Sequence, residues 1–108
     1  MRTLSALLAV LLSGGAFIVA AADDVAAEAL AKKSKCFACH SVDKKKDGPA
    51  FKEVAAKYKG KPDAEKALYT HLTTNPKVKV DGKEEAHENL KTTNDTEIKN
   101  VIAWILSR

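Results

Sequence analysis

The sequence predicts an all-α fold of about four helices gathered around one bound group. Three observations carry that expectation. Apolar residues recur at helical spacing in two clear stretches: Phe51, Val54, Ala55 and Tyr58, then Ile98, Val101, Ile102 and Ile105. Alternation of the strand type appears only where Val78 and Val80 interleave with Lys77 and Lys79, and four residues do not make a sheet. Finally, Cys36-Phe37-Ala38-Cys39-His40 has the CxxCH spacing through which a c-type haem is attached.

The motif has a geometric reason. Residues i and i+3 share a helix face, so the thiols of Cys36 and Cys39 reach two vinyl groups of one porphyrin, and the adjacent His40 brings its imidazole to the iron. These are the only cysteines, so the chain takes one haem and no more. Other chemistries fit less well. A redox-active dithiol wants a βαβ context. Zinc needs two further ligands, and His71 and His87 are far apart and unlike a finger spacing. A disulfide closing so small a ring adds little.

In chain order, residues 1–22 read as an export signal. Arg2 supplies the charge, Leu4 to Val19 the apolar run, and Ala20-Ala21-Ala22 the small-residue cleavage site. The apolar run is short for a membrane span and is followed by acids, so the expectation is a periplasmic domain, residues 23–108, without stable membrane insertion. A first helix is expected from about Asp24 to Ala38, capped by Asp23 or Asp24, with Val25, Ala26, Ala29 and Leu30 as its apolar stripe. Gly48-Pro49 marks a turn, and a second helix follows from Phe51 to Gly60. A third runs from about Asp63 to Thr73, with Ala64, Leu68, Tyr69 and Leu72 inward, and Asn75-Pro76 closes it. Lys77 to Thr93 reads as an irregular loop, with Asp81-Gly82 as a turn and a helical turn between Glu84 and Leu90; its expected task is to cover the second haem face. The last helix is capped by Asn94 or Thr93, and the spacing of Asn94 to Glu97 resembles a capping box. Trp104 is expected to pack on the first helix, where Ala27 and Ala31 leave room.

Charge excludes some functions. Loss of Arg2 with the leader takes the 18 basic residues to 17 against 14 acidic ones, and two haem propionates lower the net charge further. Lysines crowd the half from Lys32 to Lys61, while acids gather at Asp81, Glu84, Glu85 and Glu88. Aromatic residues are few and no recognition motif accompanies the lysines, so nucleic-acid binding is a poor explanation. The lysines are either a solvated face or a surface that steers docking to an acidic redox partner. No acid–base pair or nucleophile constellation is visible, so the expectation is a protein that is not an enzyme.

The chain from Asp23 onward resembles the small class I c-type cytochromes of bacterial periplasms. The likeness is carried by Cys36-Phe37-Ala38-Cys39-His40, by Gly48-Pro49-Ala50-Phe51 with Val54, Ala55 and Tyr58, and by the closing Trp104-Ile105-Leu106-Ser107. It implies a class I cytochrome c fold around one haem and a single-electron carrier serving redox partner proteins. It also implies that His40 is the proximal iron ligand and that the Pro49 carbonyl accepts its ring N–H, a contact that fixes tautomer and orientation. His71 falls where relatives place a propionate-facing basic residue.

The chain departs from the family at the second iron face. Relatives usually place a methionine before the last helix, but Met1 is the only methionine here and leaves with the leader. His87, 17 residues before Trp104, is the candidate distal ligand. Two histidines give a lower potential than histidine with methionine. The alternative is a ligand-binding or sensing protein, its sixth site open or weakly held by Asn89, with Asn94 or a lysine as further options.

Overall fold

A computed structural model describes residues 22–108. The expected export signal therefore lies outside the described residues, apart from Ala22. Among the described residues no helix is long and apolar enough to cross a membrane.

Helix α1 spans Asp24–Lys33 and begins as its sequence requires, with the Asp23 carboxylate accepting the Ala26 N–H at 3.1 Å. It ends earlier than expected. Lys35 adopts a left-handed φ of 62°, and the Ser34 hydroxyl accepts the Lys91 N–H at 2.8 Å, which ties the chain down just past the helix. The haem motif consequently sits in a separate 3₁₀ turn, Cys36–Ala38. That turn keeps the geometry the motif needs, because residues i and i+3 eclipse in a 3₁₀ helix. The apolar stripe of α1 is also corrected: Ala27 and Ala31 are buried, whereas Val25 is 81% exposed. A close helix crossing selects the smallest side chains rather than the most apolar.

Helix α2 covers Phe51–Tyr58 and buries Phe51 and Ala55. Helix α3 covers Ala64–Thr73 and buries Ala64, Leu68 and Leu72, leaving Tyr69 half-buried. Helix α4, Asp95–Leu106, is the central element, and α1, α2 and α3 all pack on it. It buries Ile98, Val101, Ile102, Trp104 and Ile105. Its cap is as the spacing predicts: Asn94 Oδ1 accepts the Glu97 N–H at 3.0 Å. The return half of the box is altered, since the Glu97 carboxylate accepts from the Thr92 hydroxyl and that hydroxyl accepts the Asn94 N–H.

The segment expected to be an irregular loop is a β-hairpin. Strands β1 (Lys77–Val80) and β2 (Lys83–Ala86) pair antiparallel, with Lys77 opposite Ala86 and Val80 opposite Lys83. No helical turn forms at Glu84. The two-residue loop explains the pairing: Asp81 and Gly82 both take positive φ, 51° and 77°, as a twist-matched hairpin turn demands. The fold is thus the expected one of four helices, with one small hairpin added.

Candidate haem site

The 3₁₀ turn, the Gly48-Pro49 turn, α2, α3, the hairpin and α4 converge on one cavity of about 710 Å³. That is the size of a ligand pocket for a large organic group. Cys36 and Cys39 line it, and both are free thiols. Before a group is attached there, burial pushes the Cys36 thiol above its ordinary range. Among the described residues no cluster of three or more His, Cys, Asp or Glu side chains is arranged to hold a metal ion by itself.

His40 is held from several sides. Its Nδ1–H donates to the Pro49 carbonyl at 2.7 Å, which leaves Nε2 free to bind a metal. The Phe51 ring stacks on the imidazole, with centroids 5.0 Å apart and planes 22° apart. Gly48 backs it so closely that a Cβ there would lie 2.5 Å from His40 Cε1. The turn is itself stitched to the motif by the Gly48 N–H to the Cys39 carbonyl and by Lys46 Nζ to the Phe37 carbonyl, both at 2.7 Å. Trp104 meets Phe51 and Phe37 edge-on, at 5.4 and 6.3 Å, and closes the inner wall. Ala27 and Ala31 let α1 approach α4, but it is these two phenylalanines that embrace the indole.

His87 follows directly on β2 and also lines the cavity. Its ring centroid lies 6.2 Å from that of His40, with the planes 55° apart. Two metal–nitrogen bonds of about 2 Å, each continued to the centre of an imidazole, separate ring centres by about 6 Å. The spacing therefore fits one iron between the two rings. Nδ1 of His87 is buried without a hydrogen-bond partner, so a metal in the cavity would have to be met by the other ring nitrogen, Nε2. Burial, then the neighbouring His40, hold the His87 pKa below the ordinary histidine value, with Glu88 partly opposing. The imidazole is thus kept neutral, the form that binds a metal.

His71 on α3 lies beside His87, centroids 4.3 Å apart, and burial followed by His87 and His40 lowers its pKa too. The alternative sixth ligand, Asn89, is otherwise engaged. Its Oδ1 accepts the Asn75 N–H at 2.8 Å, and its Nδ2 donates to the Thr73 carbonyl and to Asn75 Oδ1 at 3.1 and 3.0 Å. Both donors and one acceptor site of that amide are taken, and Asn89 is not among the residues that line the cavity, so the structure gives Asn89 a structural role. Asn94 likewise caps α4. Sequence reasoning missed Gly48 as the floor under His40, because a Gly-Pro pair signals a turn and not what the turn touches. It named Asn75 only as the end of the third helix, where its φ of 47° is the common left-handed ending, and missed its side-chain contacts with the His87 carbonyl and with Asn89.

Both signs of charge line the cavity: Lys35, Lys57 and Lys79 beside Asp47, Glu53, Glu85 and Glu88.

The family model for cytochrome c matches residues 25–108. The chain is 47% identical over 66 residues to cytochrome c-551 of Stutzerimonas stutzeri, covering 61% of this chain and 64% of that protein's length. It is 37% identical over 81 residues to cytochrome c-551 of Pseudomonas aeruginosa, covering 75% of each. Among solved structures, the class 1 cytochrome MtoD from Sideroxydans lithotrophicus ES-1 shares 50% identity and superposes with a TM-score of 0.77 over 81% of this chain and 97% of that one.

Proposed function

The chain belongs to the cytochrome c family, with one covalently attached haem c at a CxxCH motif, and from that premise we propose that it is a mono-haem single-electron carrier with bis-histidine ligation. In this reading Cys36 and Cys39 form the thioethers, His40 is the proximal ligand and His87 the distal one. The observation that carries it is the facing of His40 and His87 across the cavity at 6.2 Å. The haem supplies an iron that changes oxidation state by one electron.

The protein's own residues supply rigidity and exclusion of water. Donation from Nδ1 to the Pro49 carbonyl makes His40 a more basic donor and prevents ring rotation. Phe37, Phe51 and Trp104 form an apolar wall beside it. An iron closed on both faces leaves no place for dioxygen. The ligand set then favours a lower potential than histidine–methionine ligation.

The leader-like N-terminus supports export to the periplasm, where the carrier would serve redox partner proteins without membrane insertion. The lysines between Lys32 and Lys61 favour partners with acidic docking surfaces.

The test is the optical and EPR spectrum of the holoprotein, oxidised and reduced, beside His87→Ala. The proposal requires a low-spin parent with nitrogen ligation and a high-spin variant. A high-spin parent, or a variant indistinguishable from it, defeats the bis-histidine assignment.

A further inference from the structure

Two segments far apart in sequence run side by side where α3 gives way to the hairpin and the hairpin gives way to residues 87–90. Their contacts form a short zipper. The Leu90 N–H donates to the Leu72 carbonyl at 3.0 Å, and the His87 N–H to the Pro76 carbonyl at 2.8 Å. Between these rungs sit the interlocked amides of Asn75 and Asn89. Asn75 Nδ2 completes the set by donating to the His87 carbonyl at 2.9 Å. Both main-chain polar groups of His87 are therefore held, one by Pro76 and one by the Asn75 side chain, while the imidazole projects into the cavity lining.

We infer that Asn75 and Asn89 are positioning residues that clamp His87 against the iron and keep exogenous ligands from the second haem face. The inference rests on the reading of His87 as the distal ligand. The bonds to Asn75 are exposed to solvent, as is the whole of β2, so little packing substitutes for them. Water competes for such bonds, which keeps their share of global stability small. Their effect is on where one side chain stands. When the clamp holds, His87 can leave the iron only by turning about its own side-chain bonds. When it is cut, residues 87–90 and the hairpin can move off together, and the fraction of protein able to take an outside ligand rises.

The test uses holoproteins carrying Asn75→Gly, Asn89→Ala or both. Glycine keeps the left-handed backbone at position 75 (φ 47°) while deleting the amide. Asn89→Asp is the conservative variant, since a carboxylate still accepts the Asn75 N–H but donates nothing. Asn100→Ala is the control: it deletes another pair of bonds, those joining Asn100 to the main chain of Asp23 at 2.8 and 3.0 Å, far from the haem face. The readouts are the resting spectrum, the thermal midpoint and the rate of carbon monoxide binding to the reduced protein. Asn75→Gly and Asn89→Ala should stay low-spin at rest yet bind carbon monoxide about ten- to a hundredfold faster than the parent. The double variant should be no faster than the faster single, because the two amides act as one unit, and Asn89→Asp should fall between. Asn100→Ala should lower the midpoint and leave the rate alone. Unchanged rates in both single variants overturn the clamp, as does an equal acceleration in Asn100→Ala. His87→Ala separates the two claims: if it turns high-spin while the clamp variants bind carbon monoxide at the parent's rate, only the clamp fails. If His87→Ala matches the parent in spectrum and rate, the ligand assignment fails and takes the clamp with it.

Discussion

A single hydrogen atom in place of a methyl group sets the position of His40. Gly48 does not need a positive φ; it needs to be small, because a Cβ would stand 2.5, 2.8 and 3.0 Å from three atoms of the imidazole. Backbone and ring must both shift to admit it, and the 2.7 Å bond to the Pro49 carbonyl is what the shift would break. Gly48→Ala is therefore expected to lower the yield of holoprotein and to broaden or shift its low-spin spectrum. A full yield with the parent's spectrum would mean that the turn absorbs a methyl group at no cost.

His71 also carries a pH prediction. Burial first, and neighbouring imidazoles second, lower its pKa from 6.5. Below that value the unfolded chain binds protons that the folded chain refuses, so stability is complete above it and declines as pH falls towards the depressed value. The urea midpoint of the holoprotein should fall between about pH 7 and about pH 5, and His71→Gln should flatten part of that slope. A slope unaffected by His71→Gln would assign the loss to other groups.

Among the elements, α4 is the one on which the rest depend. Its cap is local, one side chain satisfying one N–H three residues on. Asn94→Ala should therefore cost about 1 kcal/mol, read as a lower urea midpoint with an unchanged visible spectrum. A spectral change would show instead that the cap reaches the haem face through the Thr92–Glu97 contact. The hairpin is a contrasting element. Its strands are four residues each, and β2 (Lys83-Glu84-Glu85-Ala86) is exposed throughout, so it has no core of its own. An isolated two-stranded hairpin is marginal in water. Here the Asp81-Gly82 turn at one end and the Asn75–Asn89 clamp at the other hold it in place.

At the scale of the whole molecule, the described residues 22–108 surround a cavity of about 710 Å³. Chains of this size bury only about 60% of their unfolded surface and are marginal on that ground alone. The buried residues, among them Phe51, Leu68, Leu72, Trp104 and Ile105, form one cluster with few large side chains to spare. A haem filling the cavity completes that core. Cys36→Ala/Cys39→Ala, which prevents attachment, should accordingly lose most of the far-UV helical signal and its cooperative melt. A cooperative transition near that of the holoprotein would show that the polypeptide core suffices. Docking belongs to this scale as well: Lys35, Lys57 and Lys79 line the cavity together with the four carboxylates of Asp47, Glu53, Glu85 and Glu88, so the field there is less positive than the lysine-rich half suggests.

What the amino-acid order determined alone was whatever depends on near neighbours. The CxxCH motif, the i, i+3, i+4 stripes of α2 and α4, and the Asn94 cap are all legible within a turn or two of chain, because helical hydrogen bonds and side-chain neighbours fall at fixed short spacings. The α1 stripe was misread because Ala27 and Ala31 are chosen by the approach of α4, an interaction across most of the chain. The hairpin escaped because β1 shows alternation over only four residues and β2, of Lys, Glu and Ala, has little propensity of its own, so the pairing was settled by a two-residue turn and by contacts with a distant segment. Likewise, the sequence could propose His87 only from a missing methionine and a count of residues. That its ring stands 6.2 Å from that of His40, and that Asn89 is bound up in holding it, were decided by tertiary structure. The distances that set a metal's ligands lie between segments remote in the chain, and no local rule reports them.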